Sequence, residues 1–398
     1  MLAQYATVQQ KHAIMPMLEE SSWGVQKYRT VRRLRIPERS LANLSRLTLL
    51  QAESTLPDMD TKPASAHWEK PNKPTGHAQS HVRGTGSPPS RLLRVAAWLQ
   101  AARLPAQLYI FWPLLLGQSL ATAQGMSLSW SALLACQGYG LAMQLFIVFA
   151  NDVADKETDA LNRTATPFSG GSRVLVNGVL TPEELGRAAL ACAMVCLLLG
   201  LVLRVLSGTW TPSLLILTGL GLLWAYSFRP LRLSYRGGGE ILQMFGVGTI
   251  LPLIGYSAQS GGLTGMDWTM LGPLLPLSLA CAMSTALPDA PSDAQSAKRT
   301  SAVVFGVRTA QDLILVLNIL ALGLFTAWAF RGAYAGMILA QGPLIPGMVL
   351  GVWAAILLAA WRMRHPRPGT LAMSWFVALQ IIFFLAPVIG LTALLLRS

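Results

Sequence analysis

Hydrophobic and polar positions divide the chain into two regimes. Before about residue 90 no long apolar run occurs, and Pro, Ser, Gln, Lys and Arg are abundant. Such a segment cannot bury enough apolar surface to offset the entropy of ordering, so residues 1–90 are expected to form a disordered basic extension. From residue 91 onward, apolar runs recur with lengths near the roughly 20 residues that carry a helix across a bilayer. Nine are apparent, at about 105–123, 130–150, 184–206, 211–228, 240–258, 268–288, 311–331, 343–361 and 374–395. An amphipathic stretch, RLLRVAAWLQAARLP, leads into the first and is expected to lie in the membrane interface. The pattern predicts an all-α protein, a polytopic membrane helix bundle of about nine transmembrane helices occupying residues 91–398.

Composition agrees with this reading. Of 398 residues, 53% are hydrophobic and only 12% charged, far from the averages of soluble domains. The net charge of +13 raises the question of nucleic acid, and the positions of the charges answer it. With the N-terminus cytoplasmic, the inner loops hold Lys156, Arg163, Arg173, Arg229, Arg232, Arg236, Lys298, Arg299, Arg308, Arg362, Arg364 and Arg367, whereas the outer side holds Arg204, Arg331 and Arg397. Twelve against three is the positive-inside asymmetry of an integral membrane protein. The expected partner is therefore the lipid bilayer and not nucleic acid, with an inner (plasma) membrane location and the inner loops in the cytoplasm.

The extension carries 12 basic against 7 acidic residues. Its run YRTVRRLRIPER, from Tyr28, reads as a solvated basic tail, with contact to anionic lipid as the alternative. Glu19, Glu20 and Glu38 argue against a transit peptide, which avoids acids, and Met59 is an alternative start. The four cysteines, Cys136, Cys192, Cys196 and Cys281, all fall in apolar runs, and only His365 among five histidines follows residue 90. Neither a disulfide framework nor a thiol or histidine metal site is indicated.

The informative residues are acids. Eleven follow residue 90, and five of them concentrate at two places: Asp152, Asp155 and Asp159 in FANDVADKETDALNRTATPFSGGSRVL, and Asp289 and Asp293 in DAPSD. Each group sits at the cytoplasmic end of a predicted span, so the two can face each other. On a regular helix the first three fall within an arc of about 60°. Like charges that close, at a bilayer edge, need a cation. Mg²⁺, which takes carboxylate oxygens together with waters and substrate phosphates, is one candidate; the local Lys and Arg set is the other. Gly170 and Gly171 permit close backbone approach, and Arg173 can hold a phosphate oxygen. Arg229, Arg232 and Arg236 in YSFRPLRLSYRGGGE, with Lys298 and Arg299, complete a basic ring. Carboxylates inside a basic ring describe a metal-diphosphate site.

These residues resemble a known family. NDVADKETD at 151–159 is similar to the NDxxDxxxD motif of the UbiA superfamily of intramembrane prenyltransferases, and DAPSD at 289–293 followed by AKRT is similar to its second DxxxD motif. Between them, YSFRPLRLSYRGGGE resembles the YxxxPLRLSYRGxGE run of members that prenylate 1,4-dihydroxy-2-naphthoate. The resemblance implies nine transmembrane helices around a central cavity, in which both motifs bind Mg²⁺ and the diphosphate of a polyprenyl donor. It places Asn151, Asp152, Asp155 and Asp159 on the first motif, Asp289 and Asp293 on the second, and Lys298 and Arg173 on basic positions that contact diphosphate. This chain departs from the pattern at Thr285 and Ala286, where members often carry asparagine, and at Ala297, where glycine is expected. Pro288 and Pro291 should interrupt the helix around Asp289, and Pro291 suits the first turn of a new one.

The implied reaction is Mg²⁺-dependent transfer of a polyprenyl group from an allylic diphosphate to an aromatic acceptor, here 1,4-dihydroxy-2-naphthoate with loss of its carboxylate, in menaquinone-type quinone biosynthesis. 4-Hydroxybenzoate, homogentisate, a porphyrin or a lipid are the alternative acceptors. Tyr226 and Tyr235 are candidates to orient the acceptor or face a developing cation, with interfacial aromatics as the plainer reading. Glu240 is a candidate to bind a basic loop residue or a hydroxyl. Two other classes compete. A membrane phosphatidyltransferase would need a DGxxAR element, which has no counterpart near residue 151; a transporter would place its acids nearer the midplane.

Overall fold

The computed structural model describes residues 90–166, 168–330, 336 and 344–396. The expected extension, with Met59 and the basic run from Tyr28, lies outside the described residues, as do Arg331 and Arg397. Among the described residues the regular elements are helices, and no named strand occurs.

Each predicted apolar run forms a helix over most of its described length. The lead-in forms α1 (Arg91–Ala102), and the runs form α2 (Leu108–Ala123), α3 (Trp130–Ala154), α5 (Pro182–Ser207), α6 (Thr211–Ser227), α7 (Gly239–Ser260), α8 (Leu271–Ala286), α10 (Val307–Ala329), α11 (Leu344–Arg362) and α12 (Leu371–Leu395). Two short helices, α4 (Lys156–Leu161) and α9 (Ala290–Gln295), follow α3 and α8 at the same end of the bundle. Six helices, namely α3, α5, α7, α8 with its lead-in turn, α10 and α12, are long and apolar enough to cross a membrane. The chain is an integral membrane protein. Of the remaining runs, α2 has 16 residues, α6 has 17 and α11 has 19.

Neighbouring helices pack in the order α2, α3, α5, α6, α7, α8, α10, α11, α12 and back to α2, so the described helices close a ring. Lipid is as apolar as a leucine side chain, so helix association here depends on close packing and interhelical hydrogen bonds. The α2–α7 crossing shows both a cause and a limit. A Cβ on Gly117 would lie 1.9 Å from the Pro252 carbonyl oxygen, and one on Gly255 would lie 2.0 Å from that of Leu114. Only glycine at both positions lets these backbones touch. Across α10 and α12, Asn318 Nδ2 donates to Gln380 Oε1 at 2.5 Å, a buried amide pair of the kind membrane interfaces use as glue.

Local sequence explains where helices bend. Near the middle of α7, residues Gly246–Ile250 form a π-helical segment just before Pro252, whose ring nitrogen has no hydrogen to donate. At the end of α8 the chain turns through Pro288, and α9 starts with Pro291 in its first turn, as the prolines predict. The first motif departs from expectation. Instead of one regular helix through Asp159, α3 ends at Ala154, Asp155 takes φ −103° and ψ 8°, and α4 begins at Lys156.

Candidate active site

The ends of α3, α6, α7 and α8 meet around the two aspartate motifs. The bend at Asp155 separates the environments of the first three carboxylates. Asp152, 3% exposed, accepts from the Arg103 guanidinium, the Ser172 hydroxyl and the Ser172 backbone N–H, the last at 3.2 Å. Asp155, 4% exposed, accepts from Tyr235 Oη at 2.9 Å and from Lys298 Nζ at 3.0 Å. Because the Tyr235 hydroxyl donates its one hydrogen to Asp155, Thr158 Oγ1 must be the donor in its 2.8 Å contact with Tyr235. Among the described residues nothing donates to the Asp159 side chain, and its backbone carbonyl accepts from Arg173.

The second motif is stitched to the first by the chain between α4 and α5. Asp289 accepts from Asn162 Nδ2 at 2.8 Å and from the Gly170 N–H at 3.0 Å, and Thr164 Oγ1 donates to the Pro288 carbonyl at 2.6 Å. Gly171 runs so close to Asp159 that a Cβ there would lie 2.0 Å from Oδ2, and its φ of +69° suits glycine. The expectation that the glycine pair serves close approach is met, with carboxylates as the groups approached. Asp293, 2% exposed, accepts from Thr300 Oγ1 at 3.3 Å, and Lys298 Nζ stands 3.9 Å from its Oδ1. That Oδ1 is buried without a hydrogen-bond donor.

The electrostatics follow from this crowding. Burial, then the like charges of Asp155 and Asp152, push the Asp159 carboxyl up to about 7, against the pull of Arg103. Burial also lifts Asp293 to about 7 although Lys298 opposes it. Asp289 is raised by burial, with Asn162 working against the rise. Burial works to lower the Lys298 pKa, but the Asp155 and Asp293 carboxylates outweigh it and hold the ammonium well above its usual range.

Of the other predicted residues, Arg232 lies with its guanidinium 3.6 Å from the centre of the Tyr235 ring and donates to the Ala154 carbonyl at 3.1 Å. Arg173 Nη1 is engaged by the Asp159 and Asn162 carbonyls, so it braces the first motif's backbone. The half-buried Asn151 receives the Asp155 N–H on its backbone carbonyl at 2.8 Å. Arg229 and Arg299 are exposed, and among the described residues neither side chain has a hydrogen bond or ion pair with the motifs. Tyr226 lines a pocket beside the motifs together with Glu240, Gln243, Thr285, Asp293 and Lys298. Glu240 turns out to take a hydroxyl and an N–H, both from Ser301.

Sequence reasoning missed Arg103, Ser172, Asn162 and Thr300. Arg103 belongs to the lead-in that was expected simply to lie in the interface. In the fold, α1 also packs on α3, with Trp98 edge-to-face on Phe149 at 5.8 Å and Gln100 Nε2 donating to the Ser172 carbonyl at 2.7 Å. Leu92, Val95 and Leu99 stay exposed on its other side. Its amphipathic pattern suits a neighbouring helix as well as a lipid surface, so the sequence carried no signal that separates the two.

Hard oxygen donors suit a hard divalent cation. No group of three or more Asp, Glu, His or Cys among the described residues is arranged to hold an ion by itself. The unsatisfied Asp293 Oδ1 and the Asp159 carboxylate instead fit a cation held by one or two carboxylates and completed by substrate oxygens and water, which is how Mg²⁺ is usually bound.

Comparison with known proteins gives the family and the fold. The model of the UbiA prenyltransferase family matches residues 110–388. The 1,4-dihydroxy-2-naphthoate octaprenyltransferase of Escherichia coli (strain K12) is 27% identical over 274 residues, covering 64% of this chain and 84% of that protein. The enzyme of the same name from Bacillus subtilis (strain 168) is 25% identical over 232 residues, covering 55% and 72%. The fold is similar to that of a UbiA homologue from Archaeoglobus fulgidus bound to DMAPP and Mg²⁺, with a TM-score of 0.57 at 14% identity over 76% of this chain and 99% of the other.

Proposed function

Because the chain belongs to the UbiA prenyltransferase family, we propose that this prenyltransferase moves a polyprenyl group from an allylic diphosphate to 1,4-dihydroxy-2-naphthoate in a Mg²⁺-dependent reaction. One observation carries the reading: Lys298 joins the two aspartate motifs into one buried, mixed-charge site that opens on the pocket lined by Tyr226. The naphthoate acceptor is supported by the YSFRPLRLSYRGGGE run and by the names of the two relatives above.

Asp159 and Asp293 each offer oxygens to a cation, and Asp152, Asp155 and Asp289 hold the surrounding donors in place. When bound, Mg²⁺ supplies Lewis-acid charge that favours departure of the diphosphate. Lys298 and Arg232 both lie against the Tyr235 ring, 5.5 and 3.6 Å from its centre, and bring fixed positive charge to the site. As the allylic C–O bond breaks, its electron pair leaves with diphosphate. The electron-rich ring carbon that bears the carboxylate then forms the new C–C bond, and the electrons of the ring–carboxylate bond restore aromaticity as carbon dioxide departs. No general base is required by this balance. The helices' contribution is to hold both reactants in line and keep water from the carbocation.

The reading includes nine membrane spans, with α2, α6 and α11 completing the six long ones, and a separate basic extension over residues 1–90. It places the site on the cytoplasmic side of the inner (plasma) membrane, supported by the twelve basic residues of the inner loops. The test is to incubate membranes with one radiolabelled prenyl diphosphate and, in turn, 1,4-dihydroxy-2-naphthoate, 4-hydroxybenzoate and homogentisate. Labelled product with the naphthoate alone is expected; product with another acceptor alone would reassign the substrate.

A further inference from the structure

Glu240 sits in the first turn of α7, one residue after a glycine that the fold cannot replace: a Cβ on Gly239 would lie 2.9 Å from Ser234 Cα and 3.0 Å from the Tyr226 ring. The Glu240 side chain lines the pocket, which invites the view that it meets substrate. Its hydrogen bonds point elsewhere. Both carboxylate oxygens accept from the Ser301 N–H, at 3.0 and 3.2 Å, and Oε1 also accepts from the Ser301 hydroxyl at 2.7 Å.

Ser301 opens the helical turn Ser301–Val304 and ends a short segment that carries two of the site's groups. Within it, Lys298 reaches Asp155 and Asp293, and Thr300 reaches Asp293. The segment's upstream end is fixed by the Lys298 N–H on the Asp293 carbonyl at 2.8 Å, just after Ala297 in a left-handed conformation with φ 57°. Its downstream end is fixed by Glu240. Helix α7 runs on from Glu240 through the bundle, so the carboxylate ties a mobile type of element, a loop, to a rigid one.

Resting on the prenyl-transfer reading, we propose that Glu240 is a positioning residue: through Ser301 it holds the Lys298–Thr300 segment at the spacing that lets one ammonium serve both aspartate motifs and the donor's diphosphate. The aromatic acceptor does not bind to it. Ser301 is buried and is not among the pocket-lining residues, so its removal reports on the clamp and on nothing that touches substrate. Displacing a charged group by about 1 Å costs up to about a hundredfold in rate, so partial loosening should cost about tenfold.

The experiment compares wild type, E240Q, S301A and the double variant in purified form. It measures KM for geranyl diphosphate and for the acceptor, and inhibition by inorganic diphosphate in the presence of Mg²⁺. Thermal unfolding of each variant separates loss of fold from loss of position. E240Q should raise the geranyl diphosphate KM and the inorganic diphosphate inhibition constant together by about tenfold. S301A should do the same to a smaller degree and cost markedly less in the E240Q background than alone, while the acceptor KM stays within about twofold throughout. A shift confined to the acceptor KM, or an S301A effect that adds fully to that of E240Q, overturns the clamp. If wild type makes no prenylated product, the prenyl-transfer reading fails on its own. Inorganic diphosphate binding, followed by calorimetry, then still decides the clamp: it must weaken in both single variants.

Discussion

Lys298 Nζ stands 3.0 Å from an Asp155 oxygen and 3.9 Å from an Asp293 oxygen, so a single ammonium spans motifs separated by more than a hundred residues of sequence. Both carboxylates are almost fully buried, which makes the cation part of the site's stability as well as its chemistry. Lys298→Met is expected to abolish prenyl transfer and to destabilise the fold by about 3–5 kcal/mol, since it leaves buried carboxylates without their partner. Lys298→Arg should keep the fold. Turnover and thermal unfolding of the two variants check this.

Asp152→Ala and Asp155→Ala are expected to abolish Mg²⁺-dependent prenyl transfer while the protein still inserts into membranes. The two should differ in what they free: Asp152→Ala releases Arg103 and Ser172, and Asp155→Ala releases Lys298 and Tyr235. Undiminished turnover of either purified variant would remove that aspartate from the site.

Asp159 and Asp293 both titrate near 7, raised chiefly by burial. A carboxyl with a raised pKa holds its proton as pH falls through that value, and a divalent cation must displace it. The apparent Mg²⁺ affinity is therefore expected to fall below pH 7, by about tenfold per pH unit for each proton displaced, and to level off above pH 8. A Mg²⁺ titration of donor binding at several pH values measures the slope. A flat profile between pH 6 and 8 would show that neither carboxyl binds the cation.

Gly117→Ala and Gly255→Ala each place a methyl group inside a backbone carbonyl of the facing helix. Both variants should lose about 1–3 kcal/mol of stability through forced separation of α2 from α7. Gly186→Ala, at a helical position where a Cβ meets nothing within 4 Å, is the control and should keep or slightly raise the unfolding temperature.

The aspartates and Lys298 were legible in the sequence because charge is costly beside apolar runs and has few reasons to be there. The break before Asp289 was legible because proline has only a few tolerated places. The bend at Asp155 was not, since VADKET contains neither Gly nor Pro to mark it. Asn162, Ser172 and Thr300 were invisible for another reason: uncharged polar residues are ordinary in loops, and only the fold shows that these three satisfy buried carboxylates. Arg103 was concealed by its helix, whose amphipathic pattern suits a lipid surface as well as a neighbouring helix.

The most direct measurement follows both leaving groups at once, using purified protein, an allylic diphosphate and 1,4-dihydroxy-2-naphthoate labelled in its carboxyl carbon. With Mg²⁺ present, inorganic diphosphate and labelled carbon dioxide are expected in equal amounts with the prenylated product, and chelation of the metal should stop all three. Prenyl transfer that continues undiminished after chelation, or no diphosphate release with any aromatic acceptor, would contradict the account.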